Sequence, residues 1–225
     1  PPKVLPAKKG LNRFAWDFRT ETMYILPNVY IFGDYRGHRV APGAYKAVLS
    51  LGDTLIEKRI TLLPDPRQQA KPGDWTAQQE LLQYTADKIT EIHMGVEQVQ
   101  QLRDRVKAYN NMLKGQSSAD EVKEKGEALV KMMDEWESEI IETRQKNGQD
   151  VINWPSKLNA AYFYLRGSID TYEPSVTQGV KNLLQDLDQR WATHQKTLER
   201  ILTTEVDAYN TLFKEKGVPA LIVER

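Results

Sequence analysis

The first forty residues contain the side chains whose chemistry points most directly to a ligand. Trp16 is followed by Asp17, and an aromatic ring beside a carboxylate suits the binding of a sugar. Tyr24, Tyr30 and Tyr35 follow on one long excursion of the chain (residues 24–39), and long loops often carry recognition. The sequence therefore offers Trp16, Tyr24, Tyr30 and Tyr35 as candidate ligand-binding residues, with carbohydrate as the ligand class.

A structural interpretation of the same residues stays open. Trp16 shares a two-residue phase with Phe14 and Phe18, which is typical of side chains that fill the core of a sheet. The tyrosines of the excursion would then cover an interface between a β part and the helices that follow it. Phe163 and its neighbouring tyrosines make one later helix strongly aromatic, and we expect that helix to pack under the same interface.

The carboxylates of this region do not form a recognisable catalytic pair. Glycoside hydrolysis needs two carboxyl groups, roughly 5–9 Å apart, on either side of one bond. The acidic residues follow no motif, and most lie where turns favour aspartate; they are Asp17, Glu21, Asp34, Asp53 and Asp65. A Gly-x-Ser-x-Gly elbow, a phosphate-binding loop and a dinucleotide fingerprint are all absent from the sequence. The sequence predicts no catalytic residue.

Three scattered histidines make a poor metal site. His38, His93 and His194 stand far apart in the chain, without the spacing of metal ligands, and there is no cysteine. We therefore predict no metal and no cofactor. His194 falls in an apolar helical stripe and is expected in the core, His93 is expected at the margin of a stripe, and His38 is expected in solvent.

Charge and hydropathy exclude two classes of partner. Lysine plus arginine equals aspartate plus glutamate at 31 each, whereas a nucleic-acid-binding protein usually has a basic excess or a basic face. No apolar run approaches the roughly 18 residues that a membrane-spanning helix needs. The sequence predicts neither a nucleic-acid partner nor a membrane span.

Strand patterns fill the first part of the chain. Residues 12–18 alternate as a strand would, and residues 24–32, interrupted by Pro27, read as an edge strand or an ordered loop. Apolar residues at 45, 47, 49 and 51 share one face, Gly52 and Asp53 suit a tight turn, and a return strand is expected over 55–63. This pattern predicts half of a small β-sandwich.

Helical patterns fill the rest, after a seam rich in proline and glycine at residues 64–73. Apolar stripes at three- and four-residue spacing predict four helices: one over about 76–113, one from 118, one over roughly 155–169 and one from near 174. We therefore predict an α+β chain, with a partial β-sandwich at 1–66, a linker at 67–74, an up-down four-helix bundle at 75–216 and a C-terminal tail at 217–225.

A family resemblance rests on two clusters of residues. They are Gly10, Asn12, Arg13, Trp16, Asp17 and Arg19, and then Val40, Pro42, Gly43, Tyr45 and Leu49. This pattern resembles the Ig-like module that follows the β-propellers of bacterial sortilin-type, BNR-repeat glycosyl hydrolase-like proteins, and it is similar to the Ig-like module of flagellar hook-capping proteins. The helices resemble the tail of the first group.

The resemblance implies an Ig-like sandwich and a longer, exported parent protein in which the propellers, absent here, would hold any hydrolase chemistry. The chain would then be a non-catalytic, C-terminal structural or protein-interaction module. Its partners would be the upstream propeller domains or another protein. The alternative function is a carbohydrate-binding accessory region of a glycosidase or sialidase-like hydrolase, and hydrolase residues within the chain itself are a third possibility.

One expectation concerns the edge of the sheet. Ig-like modules of this kind begin with a further hairpin, and only nine residues precede Gly10. A sandwich without those strands leaves backbone groups unpaired at an edge. We expect the edge near Phe14 to be covered by residues 1–9, by the helices or by a second copy of the chain.

Overall fold

One β-hairpin and four helices make up the main regular structure of the part of the chain that the computed structural model describes, which is residue 5 and residues 7–217. The hairpin consists of β1 (Gly43–Leu51) and β2 (Thr54–Leu62). The helices are α1 (Pro72–Met112), α2 (Asp120–Ile140), α3 (Leu158–Ile169) and a last rod formed by α4 (Gln178–Arg200) and α5 (Val206–Glu215). A π-helical segment, Ile201–Glu205, joins α4 to α5 without a break.

The predicted β-sandwich is wrong. β1 and β2 pair with each other in an antiparallel sheet of two strands. A sandwich needs a second sheet packed about 10 Å from the first, and the described residues contain no other sheet. The chain is mostly helical, so the mixed α+β character is retained in a much smaller β part.

Residues 12–18 do not form the strand that their alternation predicts. They have no regular structure, and Phe18 ends the extended path with a φ of 55°. Beyond it, a single bridge pairs Arg19 with Arg39. Residues 24–32 form an ordered loop, which is one of the two predicted alternatives.

The helix α1 begins earlier than predicted, inside the segment assigned to the linker. Pro72 takes its first position, and the Asp74 carboxylate accepts a hydrogen bond from the Lys71 backbone N–H at 2.8 Å. A proline at the start and an acidic group in the first turn both favour a helix N-terminus. The predicted domain limits stay a prediction, and residues 218–225 of the predicted tail lie outside the described residues.

The four predicted helices are confirmed, but the predicted up-down four-helix bundle is wrong, because the helices lie side by side in three rows. Asn110 of α1 donates to the backbone of Lys123 in α2 at 3.0 Å, and Gln78 of α1 donates to that of Ile169 in α3 at 2.7 Å. The helix α2 therefore packs on the C-terminal half of α1, and α3 packs on its N-terminal half. Together α2 and α3 form one interrupted row that runs antiparallel to α1. The rod α4–α5 runs beside them in the direction of α1.

The core extends from the helices to the excursion. Apolar residues of the excursion join the same buried cluster as those of the helices. From the excursion it includes Leu26, Val29 and Ile31, and from the helices Leu82, Ile89, Ile92, Val96, Met133, Trp136, Ile140, Tyr162, Leu165, Leu187 and Trp191. The excursion is therefore a layer on the bundle, while the hairpin lies outside this core.

Candidate functional site

The hairpin forms where the sequence predicts it. Its register pairs Leu51 with Thr54 across Gly52 and Asp53, which makes a two-residue turn. Gly52 has a φ of 56°, as the first central residue of a type II′ turn requires, and glycine adopts that conformation without strain. The predicted strands and turn are confirmed, with β1 beginning at Gly43 directly after Pro42.

One side of the hairpin, here called the apolar face, carries most of its large aliphatic and aromatic residues and one charged residue, Lys58, opposite Ala47. The register places Leu49 opposite Ile56 and Tyr45 opposite Ile60, all on this face. Leu49 is 45% exposed and Ile56 is 47% exposed, and Leu51 beside the turn is more exposed still. Contiguous exposed apolar side chains often mark a site of contact with a protein or a ligand.

Trp16 covers one end of the apolar face. Its ring lies 5.5 Å from the ring of Tyr45 and 5.1 Å from that of Phe18, and its Nε1 donates to the backbone oxygen of Arg19 at 3.0 Å. Phe14 and Phe18 remain about half exposed. Trp16 thus packs on the start of β1, and the half of the face nearer the turn has no described element over it.

The opposite side of the hairpin, here called the polar face, carries charge. Lys46 pairs with Glu57 at 2.9 Å, and the register places Lys46 opposite Arg59. Val48 and Leu55 also lie on this face and are exposed. The hairpin is therefore amphipathic, and both of its faces meet solvent over the half next to the turn.

The structure places the other candidate ligand-binding residues elsewhere. The backbone N–H of Tyr24 donates to the Thr90 hydroxyl of α1, Tyr35 packs on Phe163 of α3 at 5.4 Å between ring centroids, and Tyr30 is exposed. Within the described part of the chain, no ring contact joins any two of Trp16, Tyr24, Tyr30 and Tyr35. Tyr35 thus packs the excursion on the aromatic helix, but the expected interface with a β-sandwich does not form.

A charged cluster holds the excursion against α3, and no local sequence pattern predicts it. Asp170, at the end of α3, accepts hydrogen bonds from the Arg19 guanidinium and the Arg39 backbone N–H, each at 3.1 Å. Buried Arg166 donates to the backbone oxygen of Arg36 at 2.8 Å. These contacts span more than a hundred residues of sequence, so no motif spacing could reveal them.

Two acids of the β part have electrostatic surroundings that oppose proton donation. The Arg36 guanidinium beside Asp34 lowers the pKa of that carboxyl to about 2, and Arg67 does the same for Asp65. A general acid at neutral pH needs a raised pKa. These two carboxylates therefore act as ion-pair partners.

All three histidines lie differently from the prediction, since His194, expected in the core, is only half-buried. His38 is buried beside Thr20, and His93 is fully buried in α1, where Nδ1 accepts from the Leu26 backbone N–H at 3.1 Å. His194 is half-buried, and its backbone oxygen accepts from Trp136 Nε1 at 3.0 Å. Packing of the excursion on the helices buries both His38 and His93, and neither the loop around His38 nor the helical periodicity around His93 predicts this burial.

No known protein family matches the chain, and no match is found among curated proteins or solved structures. No helix in residues 7–217 has the length and apolar character needed to cross a bilayer. The same residues hold no group of three or more histidine and acidic side chains arranged for a metal ion. The resemblance to the propeller-containing family stays a prediction.

Proposed function

We propose that the chain is a non-catalytic protein-interaction module and that it makes its contact through the apolar face of the hairpin. One observation carries this proposal. The apolar face has the composition of a sheet that packs against another layer, and over its turn-proximal half no described residue forms that layer. An isolated two-stranded hairpin is marginally stable in water, so a covering partner would stabilise it.

The family resemblance fits this proposal in one respect. A module that belongs to a larger exported protein with β-propellers would meet either a neighbouring domain of that protein or a separate protein. In both cases the partner would supply the missing layer over Leu49 and Ile56. Export and the propeller partner rest on the resemblance and remain proposals with it.

Carbohydrate binding has weaker support from the geometry. Sugar rings stack on aromatic rings that share one accessible surface, whereas Tyr35 packs on α3 and Trp16 packs on Tyr45. Tyr30 is the most exposed of the three tyrosines of the excursion. The carbohydrate alternative stays a prediction, and the interaction surface is the stronger proposal.

A peptide-display selection against the intact chain tests the proposed surface. We expect enriched clones to lose at least tenfold in binding when Leu49 and Ile56 are both changed to glutamine, because this removes the aliphatic contacts without adding charge. The matched control changes Val48 and Leu55 to glutamine, which alters two exposed residues of the polar face. Circular dichroism checks that both variants keep the fold.

The control decides the outcome. Clones that bind both double variants as well as the original chain would show that the contact lies elsewhere. Equal losses in the two variants would show that any change in the hairpin disturbs binding, and the apolar face would then have no special part. Loss in the first variant with less than a twofold change in the second supports the proposal.

A further inference from the structure

We propose that the outer edge of β1 receives an extended strand from a partner polypeptide whose residues alternate between apolar and acidic, so that the hairpin becomes a three-stranded sheet. This inference rests on the proposed function and names the partner's chemistry. Strand addition of this kind draws affinity from backbone hydrogen bonds and specificity from alternate side chains. Four observations on the hairpin support it.

The backbone of β1 offers unpaired groups along its outer side. The residues that flank the two-residue turn, Leu51 and Thr54, form a hydrogen-bonded pair. Along an antiparallel pair of strands, hydrogen-bonded residue pairs alternate with pairs that are not hydrogen-bonded to each other. The N–H and C=O groups of Lys46, Val48 and Ser50 therefore point away from β2. No hydrogen bond from a described residue reaches these groups, and β1 is exposed from Lys46 to the turn.

The two edges of the hairpin differ in charge. β2 carries Glu57, Lys58 and Arg59 in succession, and charged side chains along an edge discourage pairing with another chain. β1 carries one charged residue, Lys46, which pairs with Glu57 at 2.9 Å. The edge of β1 is therefore the one that is open to an added strand.

The faces of the hairpin determine what the added strand must carry. Side chains directly opposite each other in an antiparallel pair lie on the same face, so every second residue of the added strand would extend the apolar face beside Ala47 and Leu49. The intervening residues would extend the polar face beside Lys46. Arg59 lies opposite Lys46 on β2 and has no ion-pair partner among the described residues, so Glu57 is the one acid beside two cations on this face. An acidic residue of the added strand beside Lys46 would supply a second carboxylate.

Charge also favours a separate partner over a second copy of the chain. β1 contains no acidic residue, so a second copy joined at this edge would bring no new carboxylate to the polar face that holds Lys46 and Arg59. An acidic and apolar strand therefore satisfies the edge better than β1 itself does.

Short synthetic peptides and the intact chain provide the experiment. The probe is an acetylated and amidated heptapeptide in which valine alternates with glutamate. One control peptide replaces glutamate with lysine, and another keeps the composition but groups the valines and glutamates in blocks. We expect the alternating acidic peptide to bind at least tenfold more tightly than either control, with nuclear magnetic resonance shifts at the amides of Lys46, Val48 and Ser50.

Two variants locate the edge. Val48→Pro removes an outward N–H and closes the outer edge of β1, and proline is tolerated at such a position. Leu55→Pro does the same at the outer edge of β2 and is the matched control. We expect binding to be lost in the first and retained in the second. If proline unfolds the hairpin, Lys46→Glu is used, and the preference should then pass to the lysine peptide.

The outcomes separate this inference from the proposed function. Equal binding of the block peptide would reject strand addition, while the apolar face could still be a contact surface. Self-association of the chain that Val48→Pro abolishes would identify a second copy as the occupant and would overturn the partner proposed here. Peptide binding that survives both the proline and the double glutamine variants would reject both proposals.

Discussion

Gly126 of α2 packs directly against the side chain of Asn110 in α1. A Cβ atom added there would lie 2.6 Å from Nδ2 and 2.8 Å from Cγ of Asn110. Asn110 cannot easily move, because it donates to the Lys123 backbone oxygen at 3.0 Å and accepts from the Tyr209 hydroxyl at 3.2 Å. One amide side chain thus ties together α1, α2 and α5, and glycine at 126 leaves room for it.

Gly126→Ala should lower the free energy of unfolding by about 1–3 kcal/mol, the range for a side chain forced into a packed site. Alanine favours a helix by about 1 kcal/mol over glycine, so a net loss isolates the steric conflict with Asn110. Denaturant unfolding followed by circular dichroism measures it. The control is Gly167→Ala in α3, where a Cβ meets nothing within 4 Å and a gain in stability is expected. Similar gains in both variants would contradict this account.

The excursion depends on a buried charge cluster for its position on α3. Asp170 pairs with Arg19 at 3.1 Å and with Arg39 at 3.4 Å, and the side chains of Asp170 and Arg19 are 7% and 6% exposed. Removing one member of a buried pair leaves the other charge without compensation. The excursion also contributes Leu26, Val29 and Ile31 to the core, so its release would disturb the bundle.

Asp170→Asn should destabilise the protein by about 3 kcal/mol, because the guanidiniums of Arg19 and Arg39 lose their shared carboxylate. Chemical denaturation measures the loss, and limited proteolysis should show faster cleavage between 19 and 40. Asp65→Asn is the control, since Asp65 pairs with solvent-exposed Arg67 two residues away. No resolvable change is expected there. An Asp170 variant as stable as the original chain would show that apolar packing alone holds the excursion.

At the scale of elements, the sequence predicts what local periodicity determines. Stripes such as Leu82, Ile89 and Val96 predict α1 because a helix repeats every 3.6 residues, and Gly52 predicts the turn because few residues accept its φ. The alternation around Trp16 gave a wrong strand because alternation requires a partner strand to bond with. At this point the chain turns at Phe18 and packs Trp16 on Tyr45 instead.

At the scale of the whole molecule, the arrangement of elements depends on contacts between distant residues. The sequence predicts the amphipathic hairpin but not that its apolar face would lack a second layer, since composition does not show what packs on a strand. The burial of His38 and His93 likewise comes from the excursion folding over the helices. Hence the sequence predicts which residues share the apolar face, but it does not identify that face as a candidate contact surface.

His93 makes the packing of the excursion on α1 sensitive to pH. Its ring is fully buried, and because Nδ1 accepts from the Leu26 N–H, the ring proton is assigned to Nε2, which has no hydrogen-bond partner among the described residues. Burial lowers the pKa of His93 to about 4. Burial also lowers the pKa values of His38 and His194. Protonating His93 would place a charge in the core and break its bond to the excursion.

Stability should therefore fall as the pH decreases from about 6.5 towards 4. The unfolded chain binds a proton at position 93 near its ordinary pKa of about 6.5, whereas the folded chain resists protonation until about 4. The stabilisation is thus fully present above the unfolded pKa and is lost through that window, by about 3 kcal/mol for this residue. Asp34, whose pKa is lowered to about 2, loses its contribution only at pH values below this window.

Urea unfolding at several pH values between 7 and 4.5 measures the slope. His93→Gln keeps an acceptor for the Leu26 N–H but cannot be protonated. The pH slope of its unfolding free energy should therefore correspond to the uptake of about one proton fewer on unfolding than in the original chain. His194→Gln, at a half-buried position, is the matched variant and should change the slope less. An unchanged slope in His93→Gln would mean that protonation at another residue governs the acid response, and that the contact of α1 with the excursion survives at low pH.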